Sequence, residues 1–171
     1  KSIFFWEYLH RMIGRLLGVV FLIPFIYFLI KKKLSKKLTI QSCILLLMGG
    51  SQGLIGWWMV KSGLIDRPDV SHFRLAIHLI MAFFTCAYTL WVALPLILPL
   101  SKNGDKNIFN HLLALFTLVV IQIIYGAFVA GLKAGRIYNT WPKMGEEWIP
   151  ESVFLDPGAQ AQFIHRILGL I

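Results

Sequence analysis

Four long apolar stretches shape the chain, at residues 6–30, 38–60, 75–100 and 108–132. Each is longer than the ~20 residues that a helix needs to cross a bilayer. A fifth apolar stretch begins near Gly158 and continues to Ile171. The pattern predicts an all-α integral membrane protein with four full membrane-spanning helices and the start of a fifth. Because the sequence starts at Lys1, without an initiator methionine, and ends inside a helical pattern, we expect further helices on both sides.

Composition and charge agree with a membrane protein and give it an orientation. Hydrophobic residues make up 57% of the chain and its mean hydropathy is +0.70, whereas soluble domains are about 45–50% apolar. Part of the formal net charge of +9 lies in one short loop after the first span. That loop contains Lys31, Lys32, Lys33, Lys36 and Lys37. Since basic residues concentrate in cytoplasmic loops, the cluster indicates topology rather than nucleic-acid binding, and the first, third and fifth spans run from outside to inside.

A short string occurs twice, as Glu-Tyr-Leu-His-Arg-Met-Ile-Gly at residues 7–14 and Gln-Phe-Ile-His-Arg-Ile-Leu-Gly at residues 162–169. It places His10 and His165 near the outer ends of two spans, and His78 falls at a similar depth in the third span. Histidine is costly inside a membrane unless it has a partner or a function. Two histidines from two helices can supply both axial ligands of a haem iron. We expect His10 and His78 to form such a pair, with a structural hydrogen-bonding role as the alternative.

Charged residues near the histidines suggest further roles. Three arginines are candidate partners for porphyrin propionates, although snorkelling or helix-end charge explains each of them equally well. They are Arg11, Arg74 and Arg166. Glu7 lies one turn before His10, whereas Gln162 takes its place in the second string. This difference indicates proton transfer at the first site and a quieter cofactor site at the second, unless Glu7 only pairs with Arg11.

The remaining polar and small residues in the spans favour structural roles. We interpret His72 and His111 as interfacial or structural residues. Cys43 and Cys86 are expected to be packing residues, with a disulfide between them left open. Two sets of small residues are interpreted as helix-packing faces rather than chemistry. They are Gly49, Gly53 and Gly56 in the second span, and Gly126, Gly131 and Gly135 around the end of the fourth.

Six strings in this order resemble the haem A synthase family, in the branch found in alphaproteobacteria and mitochondria. They are residues 7–15, 52–64, 70–79, 126–135, 138–145 and 162–169, and the resemblance covers essentially the whole chain. It implies eight helices in two similar four-helix bundles, of which this chain would hold the second helix to the beginning of the sixth. Residues 1–100 would belong to the N-terminal bundle and residues 101–107 would form an inner loop. Residues 108–171 would begin the C-terminal bundle, with an outer loop at 133–157.

The resemblance also implies a reaction. Members of the family are oxidoreductases that convert the C8 methyl group of haem O to the formyl group of haem A. They do so by successive O2-dependent hydroxylations and loss of water. It implies that His10 and His78 ligate the substrate haem iron and that Glu7 is the catalytic acid. His165 would ligate a cofactor haem b together with a histidine beyond residue 171. If the repeat is regular, that partner is expected about 60 to 70 residues after His165.

Partners and location follow from the same resemblance. Haem O is the implied substrate, O2 the co-substrate and the lipid bilayer the environment, with no nucleic acid. Haem O synthase, cytochrome oxidase assembly factors and a second copy of the chain are candidate protein partners. The implied location is the bacterial inner membrane, with the haem sites toward its outer side, and the mitochondrial inner membrane is the alternative. A b-type cytochrome that only transfers electrons is the second hypothesis for the function, and a transporter or assembly factor without redox chemistry is the third.

Overall fold

The computed structural model describes residues 2–61, 69–98 and 104–171, with side chains from residue 4 onward. It contains four long helices: α1 (Ser2–Ile30), α2 (Lys36–Lys61), α3 (His72–Ile97) and α4 (Lys106–Gly131). A short 3-10 turn at Ala134–Arg136, a four-residue helix α5 (Ser152–Leu155) and helix α6 (Pro157–Leu168) follow. Within the described residues there is no β-strand, only an isolated bridge between Met144 and Glu147.

The four long helices are each long and apolar enough to cross a membrane. They coincide with the four apolar stretches in the sequence, so the predicted all-α membrane class is confirmed. Large apolar side chains are exposed along all four helices, as is usual for helices that face lipid. The chain is therefore a membrane protein. The two cysteines, Cys43 and Cys86, are free thiols with exposed side chains.

Two aspartates fix where the later helices begin. Asp105 precedes α4, and its Oδ1 accepts hydrogen bonds from the backbone N–H groups of Asn107 at 2.7 Å and Ile108 at 3.3 Å. Asp156 precedes α6 and accepts one from the N–H of Ala159 at 2.7 Å. An aspartate at this position satisfies N–H groups that have no partner inside the helix. The proline that opens α6 also suits the first helical turn, where its missing N–H is not needed.

The chain divides into two compact units. The first consists of Lys1–Leu54 and Phe84–Pro99, and the second of Ile55–Phe83 and Leu100–Ile171. Glu7 and His10 therefore lie in the first unit, whereas His78 and His165 lie in the second. The predicted division into two bundles around residues 101–107 stays a prediction, and residues 101–103 of that loop lie outside the described residues.

The second unit is most tightly packed where α4, the loop after it and α6 meet. Its buried apolar residues include small ones from all three segments. They are Ala127, Ala134, Ala159 and Ala161, with Met144 and Val153 from the loop and α5. Small side chains let helix backbones approach each other closely. This contact holds α6, and with it His165, against α4.

Candidate functional site

His165 lies on α6 with its imidazole against a glycine of α4. A Cβ atom added at Gly126 would lie 3.1 Å from Cε1 of His165, 3.7 Å from Nδ1 and 3.8 Å from Nε2. Favourable carbon contacts are about 3.5 to 4.0 Å long, so the ring occupies space that a side chain at position 126 would need. The Nδ1 atom of His165 is buried and has no hydrogen-bond partner among the described residues.

His78 has the same arrangement with a glycine of α2. A Cβ atom added at Gly56 would lie 3.2 Å from Cε1 of His78, 3.7 Å from Nδ1 and 3.8 Å from Nε2. These three distances match those between Gly126 and His165 within 0.1 Å. The two glycines were interpreted from the sequence as packing residues. The structure identifies what packs on them, which is in each case a histidine ring.

Gln122 makes a second contact with His165. It lies one turn before Gly126 on the same face of α4, and its Nε2 donates a hydrogen bond to the backbone carbonyl of His165 at 3.1 Å. Its Oε1 is buried without a hydrogen-bond partner in the part of the chain that the structure describes. Gln52 occupies the same position relative to Gly56 on α2. Neither glutamine was predicted from the sequence to have a role, although a polar residue inside an apolar span indicates one.

Gln162 attaches α6 to the outer loop. Only 4% of its surface is exposed, and its Oε1 accepts a hydrogen bond from the backbone N–H of Tyr138 at 3.1 Å. Its Nε2 donates to the backbone carbonyls of Gly135 at 3.3 Å and Tyr138 at 3.0 Å. The amide thus satisfies both a backbone donor and backbone acceptors in one loop. Gln162 has a structural role that its position in the repeated string did not reveal.

Arg166 also binds the loop, one turn further along α6. Its guanidinium donates to the backbone carbonyl of Thr140 at 2.9 Å and to the backbone carbonyl of Tyr138. The loop is tied together internally as well, since the Tyr138 hydroxyl lies 2.6 Å from Oγ of Ser152. The contact of Arg166 with a haem propionate stays a prediction.

Arg74 is held by the end of α2. Its Nη1 donates to the backbone carbonyl of Trp58 at 2.9 Å, and its guanidinium carbon lies 4.3 Å from the centroid of the Trp58 ring. A guanidinium over an indole face is a cation–π contact. Arg74 therefore has a structural attachment one turn before His78. Its predicted role in binding a propionate is likewise untested.

Glu7 and His10 lie on α1, where their side chains are exposed. One oxygen of Glu7 lies 3.9 Å from Nη2 of Arg11, and the two side chains are 60% and 54% exposed. The i, i+4 pairing considered from the sequence is therefore present, as a loose, exposed ion pair. Because His10 and His78 belong to different compact units, their pairing as haem ligands stays a prediction.

The other two histidines have neighbours that fit a structural interpretation. Nδ1 of His111 lies 2.7 Å from the backbone carbonyl of Asn107 on its own helix. The ring of His72 lies edge-on to Phe128, with 5.3 Å between centroids. A Cβ atom added at Gly131 would lie 2.6 Å from the Cβ of His72. Only glycine at position 131 permits this approach of α3 to the end of α4.

The arrangement around His165 fits a haem ligand. Its imidazole lies against a glycine, its Nδ1 is buried with no hydrogen-bond partner among the described residues, and its backbone is fixed by Gln122. Imidazole nitrogen is a common axial ligand of haem iron. A histidine held in this way can present a nitrogen to a metal without rearranging its own helix.

Comparison with known proteins identifies the family. A family model described as COX15-CtaA, cytochrome oxidase assembly protein, matches residues 1–171. The chain belongs to the COX15-CtaA family. No solved structure matches the chain.

Relatives of this COX15-CtaA family member include three proteins named "Heme A synthase". The chain is 54% identical to the one from Flavobacterium johnsoniae over 97% of its length and 51% identical to the one from Flavobacterium psychrophilum over 99%. It is 46% identical to the one from Rhodospirillum centenum over its full length. The aligned parts make up 52%, 53% and 49% of these three relatives. The chain therefore spans about half the length of the curated relatives it matches.

Proposed function

We propose that the full-length protein containing this chain is a haem A synthase. It oxidises the C8 methyl group of haem O to the formyl group of haem A by successive O2-dependent hydroxylations followed by loss of water. The observation that carries the proposal is the identity of 46–54% to proteins named "Heme A synthase" across essentially the whole chain. The similar settings of His78 and His165, each ring against a glycine, support a protein that holds two haems.

Three histidines of this chain bind the haems in the proposal. His10 and His78 hold the iron of the substrate, haem O, in the N-terminal four-helix bundle. His165 holds a cofactor haem b in the C-terminal bundle, together with a histidine beyond residue 171. A bis-histidine haem supplies electron transfer. Arg74 and Arg166 lie one turn before His78 and directly after His165, where a guanidinium can also bind a propionate.

Glu7 is the proposed catalytic acid. Its carboxylate oxygens can accept and release a proton, and it lies one turn from the proposed substrate ligand His10. The neighbouring Arg11 lies 3.9 Å from the carboxylate and leaves it exposed. Gln162 occupies the corresponding position beside His165 and cannot transfer protons in this way. The chemistry is therefore assigned to the first site and electron transfer to the second.

The proposed location is the bacterial inner membrane, with both haem sites toward its outer side. The lysine-rich loop between α1 and α2 supports this orientation, because basic loops stay in the cytoplasm. The mitochondrial inner membrane is the alternative. Haem O synthase and cytochrome oxidase assembly factors are the proposed neighbours in the pathway of cytochrome oxidase assembly.

Expression of the full-length protein in a host that makes haem O but not haem A tests the proposal. Chromatography of the extracted haems should show haem A with the wild-type protein. Glu7→Gln should abolish the conversion while keeping the low-spin spectrum of haem b. His165→Ala should lose that spectrum, whereas His111→Ala, at a histidine bound to its own helix, should keep it.

Three results would contradict the proposal or part of it. A wild-type protein that carries low-spin haem but never yields haem A would be a b-type cytochrome. A Glu7→Gln variant with full conversion would remove Glu7 from the mechanism. A full-length sequence without a histidine about 60 to 70 residues after His165 would contradict the duplicated haem site.

A further inference from the structure

One face of α4 holds His165 at two points. Gly126 lies against the imidazole, and Gln122, one turn earlier, binds the backbone carbonyl of the same residue. The first contact restricts the orientation of the ring, and the second restricts the rotation and height of α6 against α4. Two contacts from one helix face determine the position of a side chain better than either contact alone.

Ordinary helix packing does not account for the glycine contacts. Five other glycines in the long helices have no atom within 4 Å of an added Cβ, and Gly131 meets the backbone and Cβ of His72 rather than its ring. The five are Gly14, Gly18, Gly49, Gly50 and Gly53. Among the helical glycines of the described residues, Gly56 and Gly126 are the ones that contact an imidazole, and both do so with Cε1 nearest. Each follows a glutamine by four residues. The same glycine contact therefore occurs against two different histidines.

We infer that Gln122 and Gly126 are positioning residues that set the plane of the His165 imidazole at the cofactor haem, and that Gly56 does the same for His78. The inference rests on the proposed function, since it takes both histidines to be haem ligands. An iron–imidazole bond leaves the ring free to rotate about that bond, so its plane is set by neighbouring atoms. Gly126 lies 3.1 Å, measured from its added Cβ, from the ring atom between the two nitrogens. A methyl group there must rotate or displace the ring.

Electron paramagnetic resonance of the purified full-length protein tests the inference. The largest g value of a ferric low-spin bis-histidine haem depends on the angle between the two imidazole planes. Gly126→Ala should shift the haem b signal while haem content stays near that of the wild type. Gly126→Leu should lose the haem. Gly53→Ala, a helical glycine whose added Cβ meets no atom within 4 Å, should leave the signal unchanged.

Gln122→Leu gives an independent measurement, because it adds no atom against the ring. It removes the hydrogen bond to the His165 carbonyl and should also shift the g value, without lowering the haem content as far as His165→Ala does. If Gly126→Ala does not accumulate in the membrane, the g value of Gln122→Leu alone tests the inference. Wild-type g values in Gly126→Ala, or in Gln122→Leu, would overturn the inference.

The same series separates this inference from the proposed function. His165→Ala should abolish the low-spin haem b signal. If His165→Ala retains it, the assignment of His165 as a ligand is wrong, and the failure belongs to the proposed function. If His165→Ala loses the signal while Gly126→Ala and Gln122→Leu are indistinguishable from wild type, only the positioning role is wrong.

Discussion

The two copies of the repeated string have different surroundings. In the first, residues 7–14, the acid Glu7 is 60% exposed and meets Arg11 at 3.9 Å. In the second, residues 162–169, Gln162 is 4% exposed and makes three hydrogen bonds to the backbone of the outer loop. None of the residues in the most hydrophobic window of α1 is buried, whereas α6 packs against α4. Sequence similarity of the two strings does not extend to their contacts.

The chemistry of the differing residue explains part of this contrast. An amide has both a donor and an acceptor, whereas an ionised carboxylate only accepts. Gln162 uses both, since it accepts from the N–H of Tyr138 and donates to the carbonyls of Gly135 and Tyr138. An ionised glutamate in its place could make only the first of these bonds. The glutamine at position 162 therefore suits the loop, which offers it both a donor and acceptors.

The largest effect is expected from Gln162→Glu. It places a carboxylate against two carbonyl oxygens in a buried site, and should lower the free energy of unfolding by about 2 to 3 kcal/mol. Gln160→Glu introduces the same charge at an exposed position two residues away. Denaturant titration of the detergent-solubilised full-length protein measures both. Equal losses of unfolding free energy in Gln162→Glu and Gln160→Glu would contradict this prediction. The buried hydrogen bonds of Gln162 would then add no stability that an exposed glutamine lacks.

The arginines of the two strings give the next comparison. Arg166→Gln removes charged donors from the carbonyls of Tyr138 and Thr140, and should cost about 1 to 2 kcal/mol. Arg11→Gln removes an exposed partner of Glu7, and should change stability by less than about 0.5 kcal/mol. Hydrogen exchange of the Tyr138 amide should accelerate only in Arg166→Gln. Faster exchange in both variants would contradict the contrast between the copies.

Apolar length alone predicted the long helices. The stretches at 6–30 and 108–132 became Ser2–Ile30 and Lys106–Gly131, and the differences are a few residues at the ends. These ends depend on local caps: Asp105, outside the apolar stretch, starts α4 by accepting two backbone hydrogen bonds. Apolar length predicts a spanning helix because the thickness of the bilayer's hydrocarbon core sets how many residues are needed to cross it.

The environment of His165 was predicted less completely. The sequence identified the histidine as a candidate ligand, because a polar residue in a span needs a reason. It did not connect His165 with Gly126 and Gln122, which lie on another helix. Residue spacing shows that those two share a face of α4, but which side chain meets that face depends on helix packing. For the same reason the sequence did not predict that Gln162 binds the outer loop.

The cap of α6 gives a smaller, sharper test of how the second copy is held. Asp156→Ala leaves the N–H of Ala159 without its acceptor and should cost about 1 kcal/mol. Asp156→Ser keeps a capping oxygen and should recover most of the loss. Thermal unfolding of the solubilised protein measures both variants. If serine and alanine destabilise the protein equally, the loss arises from the charge of Asp156 and not from its cap.

A small effect is also expected at Lys133 and Asp69, which form an exposed ion pair as Glu7 and Arg11 do. Nζ of Lys133 lies 2.5 Å from Oδ1 of Asp69, and the side chains are 70% and 49% exposed. Exposed pairs contribute about 0 to 1 kcal/mol, so a double-mutant cycle of Lys133→Met and Asp69→Asn should give a coupling energy below about 1 kcal/mol. The coupling should fall further in 1 M NaCl, where the screening length is about 3 Å. A larger, salt-independent coupling would show that a short ion pair alone can hold the outer loop as firmly as the buried amide of Gln162 does.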